Sequence, residues 1–429
     1  MLQGQVSRRS APALPFSTRP LRESLQRLLS RAVLAAAIVG APAASADAPE
    51  SEVERGKYLA IAGNCSSCHT AGGGYMAGGV SFATQFGTLY STNITSHPEK
   101  GIGRWTKEQF RASMRSGVRP NGEHLYPAFP YTSFTKVSDA DIDALYAYFM
   151  TVPPIDGTPP ANDMSFPFDR RALLGPWKRL FFTEGAYEPD PQQSAQWNRG
   201  AYLVQGLAHC GACHTPRNLL GAEKNDAFLS GGTYIDKIPD GDLMPWAAVN
   251  LTGAKTGLAH WTLDDLTAYL KTGMTSIAGT YGPMNEVIMN STRHLRDADV
   301  RAMSVYLKSL APIESKGSRA SEEVLAQGKV LYTVYCGTCH LPTGLGDVNS
   351  APPLAGSAVV QAPSPASLLN TLMYGPQLPE PALPTTWMTM EAYGEKMTDE
   401  EVAALASYVR SAWGNEAGAV SVADVEAQR

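Results

Sequence analysis

The sequence predicts an all-α fold of three tandem helical units, and three features carry that prediction. The pentad CxxCH occurs three times, at Cys65–His69, Cys210–His214 and Cys336–His340. A related helical segment runs into each pentad, and a capped segment with helical apolar periodicity closes each unit behind it.

The opening segments are Arg55-Gly56-Lys57-Tyr58-Leu59, Arg199-Gly200-Ala201-Tyr202-Leu203 and Gln327-Gly328-Lys329-Val330-Leu331, each read as a short helix. The closing helices begin at Ser138-Asp139-Ala140-Asp141, Arg296-Asp297-Ala298-Asp299 and Thr398-Asp399-Glu400-Glu401. There Ser, Asp or Thr can accept from free amides, and the early acids suit the positive helix end. Apolar residues recur behind these caps at Ile142, Leu145, Tyr146 and Phe149, at Val300, Met303, Val305 and Leu307, and at Val402, Leu405 and Val409. Those faces are expected to pack on the opening helices. The first two units also share Asn93-Ile94-Thr95 with Trp105-Thr106 and Asn250-Leu251-Thr252 with Trp261-Thr262, and each Trp-Thr pair is expected to open a middle helix. The third unit lacks this match. Pro153, Pro154, Pro159 and Pro160, then Pro189 and Pro191, mark linkers, with Phe166-Pro167-Phe168 and Trp177 to Phe182 between them as an apolar brace. The resulting boundaries are 51–155, 191–312 and 320–415 for three domains, 156–190 for the linker and brace, and 416–429 for a C-terminal tail.

Composition narrows the functions open to the chain. Its 429 residues fit two to four compact units, and 44% hydrophobic with 17% charged residues is ordinary for a globular protein. A net charge of -5 with scattered Lys and Arg argues against a nucleic-acid partner. All six cysteines fall in the pentads, leaving none for a disulfide or a nucleophile. Residues 1–46 read as a signal peptide: Arg8, Arg9, Arg19, Arg22, Arg27 and Arg31, an apolar run from Ala32 to Ala43, and Ala44-Ser45-Ala46 at the cleavage point. No later stretch approaches the roughly 18 apolar residues of a spanning helix. The mature chain is therefore expected in the periplasm, soluble or peripheral on the cytoplasmic membrane.

Two thiols at CxxC spacing can add to the two vinyl groups of one haem while the next residue, histidine, reaches its iron. Zinc binding or thiol exchange would use a CxxC pair, but neither explains the histidine three times over. Cys65, Cys68, Cys210, Cys213, Cys336 and Cys339 are thus assigned to three covalent haems c, with His69, His214 and His340 on the iron. Opening helix, haem loop, ligand loop and closing helix are the parts of a small cytochrome c-type domain, so three such domains joined by Pro-rich linkers are expected.

A sixth iron ligand must come from a distant loop, where methionine sulfur raises the potential. Met284, after Tyr281-Gly282-Pro283, is assigned in the second unit, with Met289 and Met244 as alternatives. Met390 is assigned in the third, with Met388 in reserve. The first unit departs from the pattern, because Leu125-Tyr126-Pro127-Ala128-Phe129-Pro130-Tyr131 carries Phe129 where methionine is expected. Met114, Met150, Met164 and His124 stay open there, as does a five-coordinate iron. His97, His209, His260 and His294 stand at no repeated ligand position and are read as polar or surface residues, His209 able to tune the haem of its neighbour Cys210. No Ser/His/Asp set, paired carboxylates or phosphate loop emerges, and Gly72-Gly73-Gly74 lacks a nucleotide-loop context, so no catalytic residue is assigned.

These residues together resemble the three-haem cytochrome c subunit of membrane-associated dehydrogenases that oxidise alcohols, aldehydes, gluconate, sorbitol or fructose. The resemblance spans nearly all of the mature chain. It is carried by Arg55-Gly56-Lys57-Tyr58-Leu59, the Leu125 to Tyr131 loop, Phe166-Pro167-Phe168 with Trp177, Cys213-His214-Thr215-Pro216-Arg217, Gly282-Pro283-Met284 and Ser411-Ala412-Trp413-Gly414-Asn415. Phe129, and Glu391 after Met390 where proline is usual, depart from it. The resemblance implies an electron-transfer subunit that receives electrons from a catalytic subunit carrying flavin, pyrroloquinoline quinone or molybdopterin. The electrons would pass to ubiquinone or a terminal oxidase of the respiratory chain. Two other functions compete with it: a peroxidase-like haem enzyme using an open first haem, and a free multihaem shuttle.

Overall fold

The glycine shared by the opening segments sets the helix crossings. Opening helices span Glu52–Ala62, Ala195–Tyr202 and Glu322–Tyr335, with Ser51, Ser194 and Ser321 accepting from backbone amides at their starts. They cross closing helices Asp139–Phe149, Asp297–Lys308 and Asp399–Ser411. A Cβ on Gly56, Gly200 or Gly328 would lie 1.9, 1.9 or 2.1 Å from the carbonyl oxygen of Ala144, Ala302 or Ala404. Only hydrogen fits at these three crossings. This computed structural model describes residues 50–238, 241, 243–381 and 383–429. The expected signal peptide lies outside the described residues.

Two closing helices start as their sequences suggest: Ser138 and Thr398 accept from Asp141 and Glu401 amides. Arg296 starts the other with no side-chain cap. Of the apolar faces, Ile142, Leu145 and Phe149, Val300, Met303 and Leu307, and Val402, Leu405 and Val409 are buried. Tyr146 and Val305 are half-buried, and Tyr306 turns inward beside Val305.

Both Trp-Thr pairs precede a middle helix. Thr106 with Gln109, and Thr262 with Asp265, form capping boxes for Lys107–Ser116 and Leu263–Thr272. These helices end on left-handed Gly117 and Gly273, at φ 60° and 76°. In the third repeat Ala366–Tyr374 takes the same place and ends on Gly375, at φ 79°. Between Gly200 and Cys210 the chain is one residue longer than between Gly56 and Cys65, and a π-helical turn, Leu203–Leu207, absorbs it.

The described chain is mostly helical, 40% helix against 9% strand. The strands form a hairpin of Ser81–Thr84 and Gly87–Tyr90 joined by Asp163–Met164, and a second hairpin of Gly232–Lys237 and Leu243–Ala248.

Residues Glu50–Arg429 form one unit, in which the repeats meet in two ways. The first and second exchange reciprocal contacts. Tyr58 Oη donates to Asp299 (2.5 Å), which also takes Arg199, while Tyr202 Oη donates to Asp141 (2.5 Å), which also takes Arg55. The second and third meet through backbone edges: Ser367 accepts from Ala247 N (2.8 Å), Asn370 donates to Pro245 O (2.9 Å) and Gln377 O accepts from Gly282 N (2.8 Å). The brace helix Leu174–Phe181 sends Lys178 Nζ onto the Gly117 carbonyl (2.7 Å) and Trp177 onto the Leu220 carbonyl (2.9 Å). Residues after Asn415 pack back on the third repeat through buried Val420 and Val425. Among the described residues no helix is long and apolar enough to cross a membrane.

Candidate haem sites

Each pentad turns into a one-turn helix, Cys65–His69, Gly211–His214 and Gly337–His340, which brings its histidine back toward the following loop. There one contact recurs. His69 Nδ1 lies 2.7 Å from Thr92 O, His214 Nδ1 2.7 Å from Val249 O and His340 Nδ1 2.9 Å from Pro352 O. A carbonyl can only accept, so Nδ1 carries the proton and Nε2 keeps its lone pair for a metal. Burial pushes all three imidazoles below their usual range, which favours the neutral, ligating form.

The Asn-x-Thr match of the first two repeats fixes two of these carbonyls. Asn93 Oδ1 accepts from Thr95 N (2.9 Å) and Thr95 Oγ1 (2.7 Å), and its Nδ2 donates to Ile155 O and Gly157 O. Asn250 repeats this with Thr252 and Ile313 O. Each asparagine directly follows the residue whose carbonyl takes the histidine.

A cavity of about 360 Å³ adjoins the first pentad. Cys65, Cys68 and His69 line it together with apolar Ile102, Trp105, Phe110, Leu145 and Phe149. Arg119 and Arg171 also line it, and their charge would neutralise a haem's carboxylate groups. The donor set, the apolar wall and the two cations fit a haem. Desolvation pushes the half-buried Cys65, Cys68 and Cys210 thiols up to about 12, and Cys213 and Cys336 to about 11. That is the opposite of the setting of a reactive thiolate. Among the described residues no three His, Cys, Asp or Glu side chains gather as a bare-metal site.

A cytochrome c family model matches residues 53–153 and 325–413. The chain is 38% identical to the fructose dehydrogenase cytochrome subunit of Gluconobacter japonicus, over 90% of this chain and 84% of that one. It is 38% identical to the cytochrome c subunit of a quinone alcohol dehydrogenase from Gluconacetobacter polyoxogenes, over 88% and 84%. The chain belongs to the family of cytochrome c subunits of dehydrogenases. It is also 43% identical, over 83% of its length, to one of the subunits of nicotinate dehydrogenase from Pseudomonas putida, but spans only 30% of that protein.

As a cytochrome c this chain binds haem c covalently. Its methionines are distributed unevenly about the pentads. Met284 opens the helix Met284–Asn290 and packs half-buried on the shared core. Met289 instead accepts from Arg293 through its sulfur (3.0 Å). Met390 is half-buried against the core of the third repeat, whereas Met388 is 65% exposed. Of the four candidates for the first iron, only Met114 lines the cavity, and so does Phe129. His124 is turned to Lys178 Nζ (3.2 Å), Met150 packs elsewhere on the core, and Met164 sits in a strand.

Sequence reasoning missed His209. Although it adjoins Cys210, its ring stacks on Phe134 (centroids 5.4 Å apart) and lines the first cavity. The signal that could have found it is the extra residue before the second pentad, which moves this side chain toward the neighbouring repeat. His97 Nδ1 accepts from the Glu99 and Lys100 amides while its Nε2 faces Asp156 at 3.8 Å, and His294 Nε2 lies 2.9 Å from the Met289 carbonyl.

Proposed function

We propose that this chain is a three-haem electron-transfer subunit. It would receive electrons from the catalytic subunit of a dehydrogenase and pass them to ubiquinone or another respiratory acceptor on the periplasmic face of the membrane. The observation that carries the reading is the threefold recurrence of a CxxCH histidine with Nδ1 committed to a backbone carbonyl. Three tandem cytochrome c-type domains, with boundaries near 51–155, 191–312 and 320–415, follow from it. Cys65 and Cys68, Cys210 and Cys213, and Cys336 and Cys339 hold the three groups. His69, His214 and His340 bind from one side, and Met284 and Met390 close the second and third sites from the other.

Haem, when bound, supplies one-electron exchange between ferrous and ferric iron. The chain's part is to fix the imidazoles, exclude water with the apolar wall and hold the repeats together through the two junctions. The relatives support this reading over a peroxidase-like enzyme or a free shuttle, since several are cytochrome subunits of dehydrogenases. The partner's cofactor, whether flavin, pyrroloquinoline quinone or molybdopterin, depends on which catalytic subunit accompanies it.

The test is to express the chain with haem maturation and count haem per polypeptide by pyridine haemochrome and intact mass. A pull-down from native membranes should then recover a dehydrogenase subunit whose substrate reduces the cytochrome. Two haems per chain, or a chain that never co-purifies with a dehydrogenase and reacts with peroxide alone, would overturn it.

A further inference from the structure

The first repeat carries a methionine and an apolar residue in exchanged positions. Two backbone bonds set its register against the second repeat. Leu125 N donates to Gly117 O and Thr280 N to Gly273 O, both at 2.8 Å, and both glycines terminate the middle helix in the left-handed conformation. Counting from these bonds, Phe129 corresponds to Met284 in the ligand loop. Counting back from the glycines, Met114 corresponds to Leu270 on the middle helix, and in the third repeat Leu372 holds that place before Gly375. The second and third repeats therefore have leucine on the helix and methionine in the loop. The first has methionine on the helix and phenylalanine in the loop.

We propose that Met114, reaching from the middle helix, is the sixth ligand of the first haem. The proposal rests on the three-haem reading above. Met114 is 6% exposed and lines the same cavity as Cys65, Cys68 and His69. Phe129 shares that cavity and packs on Phe134 (centroids 5.2 Å apart), filling as hydrocarbon the place that a loop methionine would take. Methionine often serves as core filler, and a thioether in place of leucine would by itself mean little. The paired exchange at two registered positions is what a moved ligand requires and a random filler does not. His209 is another ligand-capable side chain in this wall, but its segment runs past the Cys65 thiol. A Cβ on Gly63 would be 3.3 Å from both Leu207 Cδ1 and Cys65 Sγ, so that segment approaches the pentad beside the Cys65 thiol.

The experiment uses the full-length holoprotein and first confirms three haems per chain, so that failure of the three-haem reading is seen separately. Methyl-13C methionine NMR of the reduced wild type should then show three strongly upfield ligand methyls. Met114→Leu should leave two, and should convert one haem of three to a high-spin, carbon monoxide-binding form. Met114→Leu with Phe129→Met, which restores the order of the second repeat, should recover three upfield methyls and abolish carbon monoxide binding. Wild type that shows only two ligand methyls overturns the proposal without recourse to any variant. So does a Met114→Leu protein that stays fully low-spin, or a His209→Leu protein that alone opens the first site.

Discussion

The first two repeats and the third solve one problem with differently placed asparagines. In the first two, Asn93 or Asn250 sits directly after the carbonyl that takes the proximal histidine and ties its loop to the segment beyond the closing helix. In the third, that loop has no such asparagine. Asn415, beyond the closing helix, reaches back instead, donating to Leu354 O (3.1 Å) and Val409 O (2.9 Å) and accepting from Gly356 N (2.9 Å). Trp413 adds a bond to Pro342 O (3.0 Å) and stacks on Tyr332 and Tyr408. The carboxamide is the small group that both donates and accepts, so it can bridge two strands of loop from either end. What the three sites have in common is a held carbonyl, and the motif that holds it is free to move along the chain.

The largest expected effect is common to all repeats and sets the baseline for that comparison. Gly56→Val, Gly200→Val or Gly328→Val would drive a side chain into a facing carbonyl, a loss of more than about 4 kcal/mol, from which no folded holoprotein should be recovered. Haem-stained gels of the exported chain check this, and normal haem loading in any one variant would show that its crossing can open.

Asn415→Ala should come next, at roughly 2–3 kcal/mol, because it removes three bonds together, leaving the Gly356 amide without its acceptor and the Leu354 carbonyl with only its longer bond from Ser357 N. Denaturant unfolding with redox titration would register it, and on the proposed three-haem reading only one potential should move. If all three moved, the third repeat would not be holding its own loop.

The junctions differ too, and Asp299→Asn probes the charged one at roughly 2 kcal/mol. Burial alone would raise the Asp299 carboxyl, but the bonds from Arg199 and Tyr58 outweigh it and hold the group below its usual range. Its contribution is therefore complete above the ordinary carboxylate pKa of about 4 and lost as pH falls through the lowered native value. The Tm gap between wild type and Asp299→Asn should narrow at acid pH, and a gap unchanged with pH would deny the carboxylate that role. The smallest effect belongs to Thr95→Val, about 1.5 kcal/mol, because the hydroxyl's bond to Asn93 and its longer acceptances from Ile155 N and His97 N are lost while the backbone bond to Asn93 remains. Thermal melts of this variant beside Thr252→Val should give matching losses if the first two repeats are equivalent.

Much of the site was legible because covalent attachment demands a fixed spacing of cysteines and histidine along the chain. The repeated Gly56, Gly200 and Gly328 were visible as a pattern, but their reason, a carbonyl under 2.2 Å from the missing Cβ, lies on a helix far along the sequence. The place of His209 was hidden for a similar cause. Its chain neighbour belongs to the second site, yet a left-handed backbone at φ 37° after the π-turn directs its ring to the first. Lys178, whose amine burial lowers to about 8, lies inside the segment read as an apolar brace and donates to the Ser116 and Gly117 carbonyls at the end of the helix that carries Met114.

The sequence by itself determined the three CxxCH pentads proposed to attach haem, the helical repeat and the family resemblance, since each depends on spacing and periodicity within a short stretch. Tertiary structure alone decided which carbonyl receives each imidazole, which cavity His209 lines and which methionine faces the first pentad. Those choices rest on contacts between residues distant in the chain. Close packing of the crossing helices brings them together, and no local pattern records it.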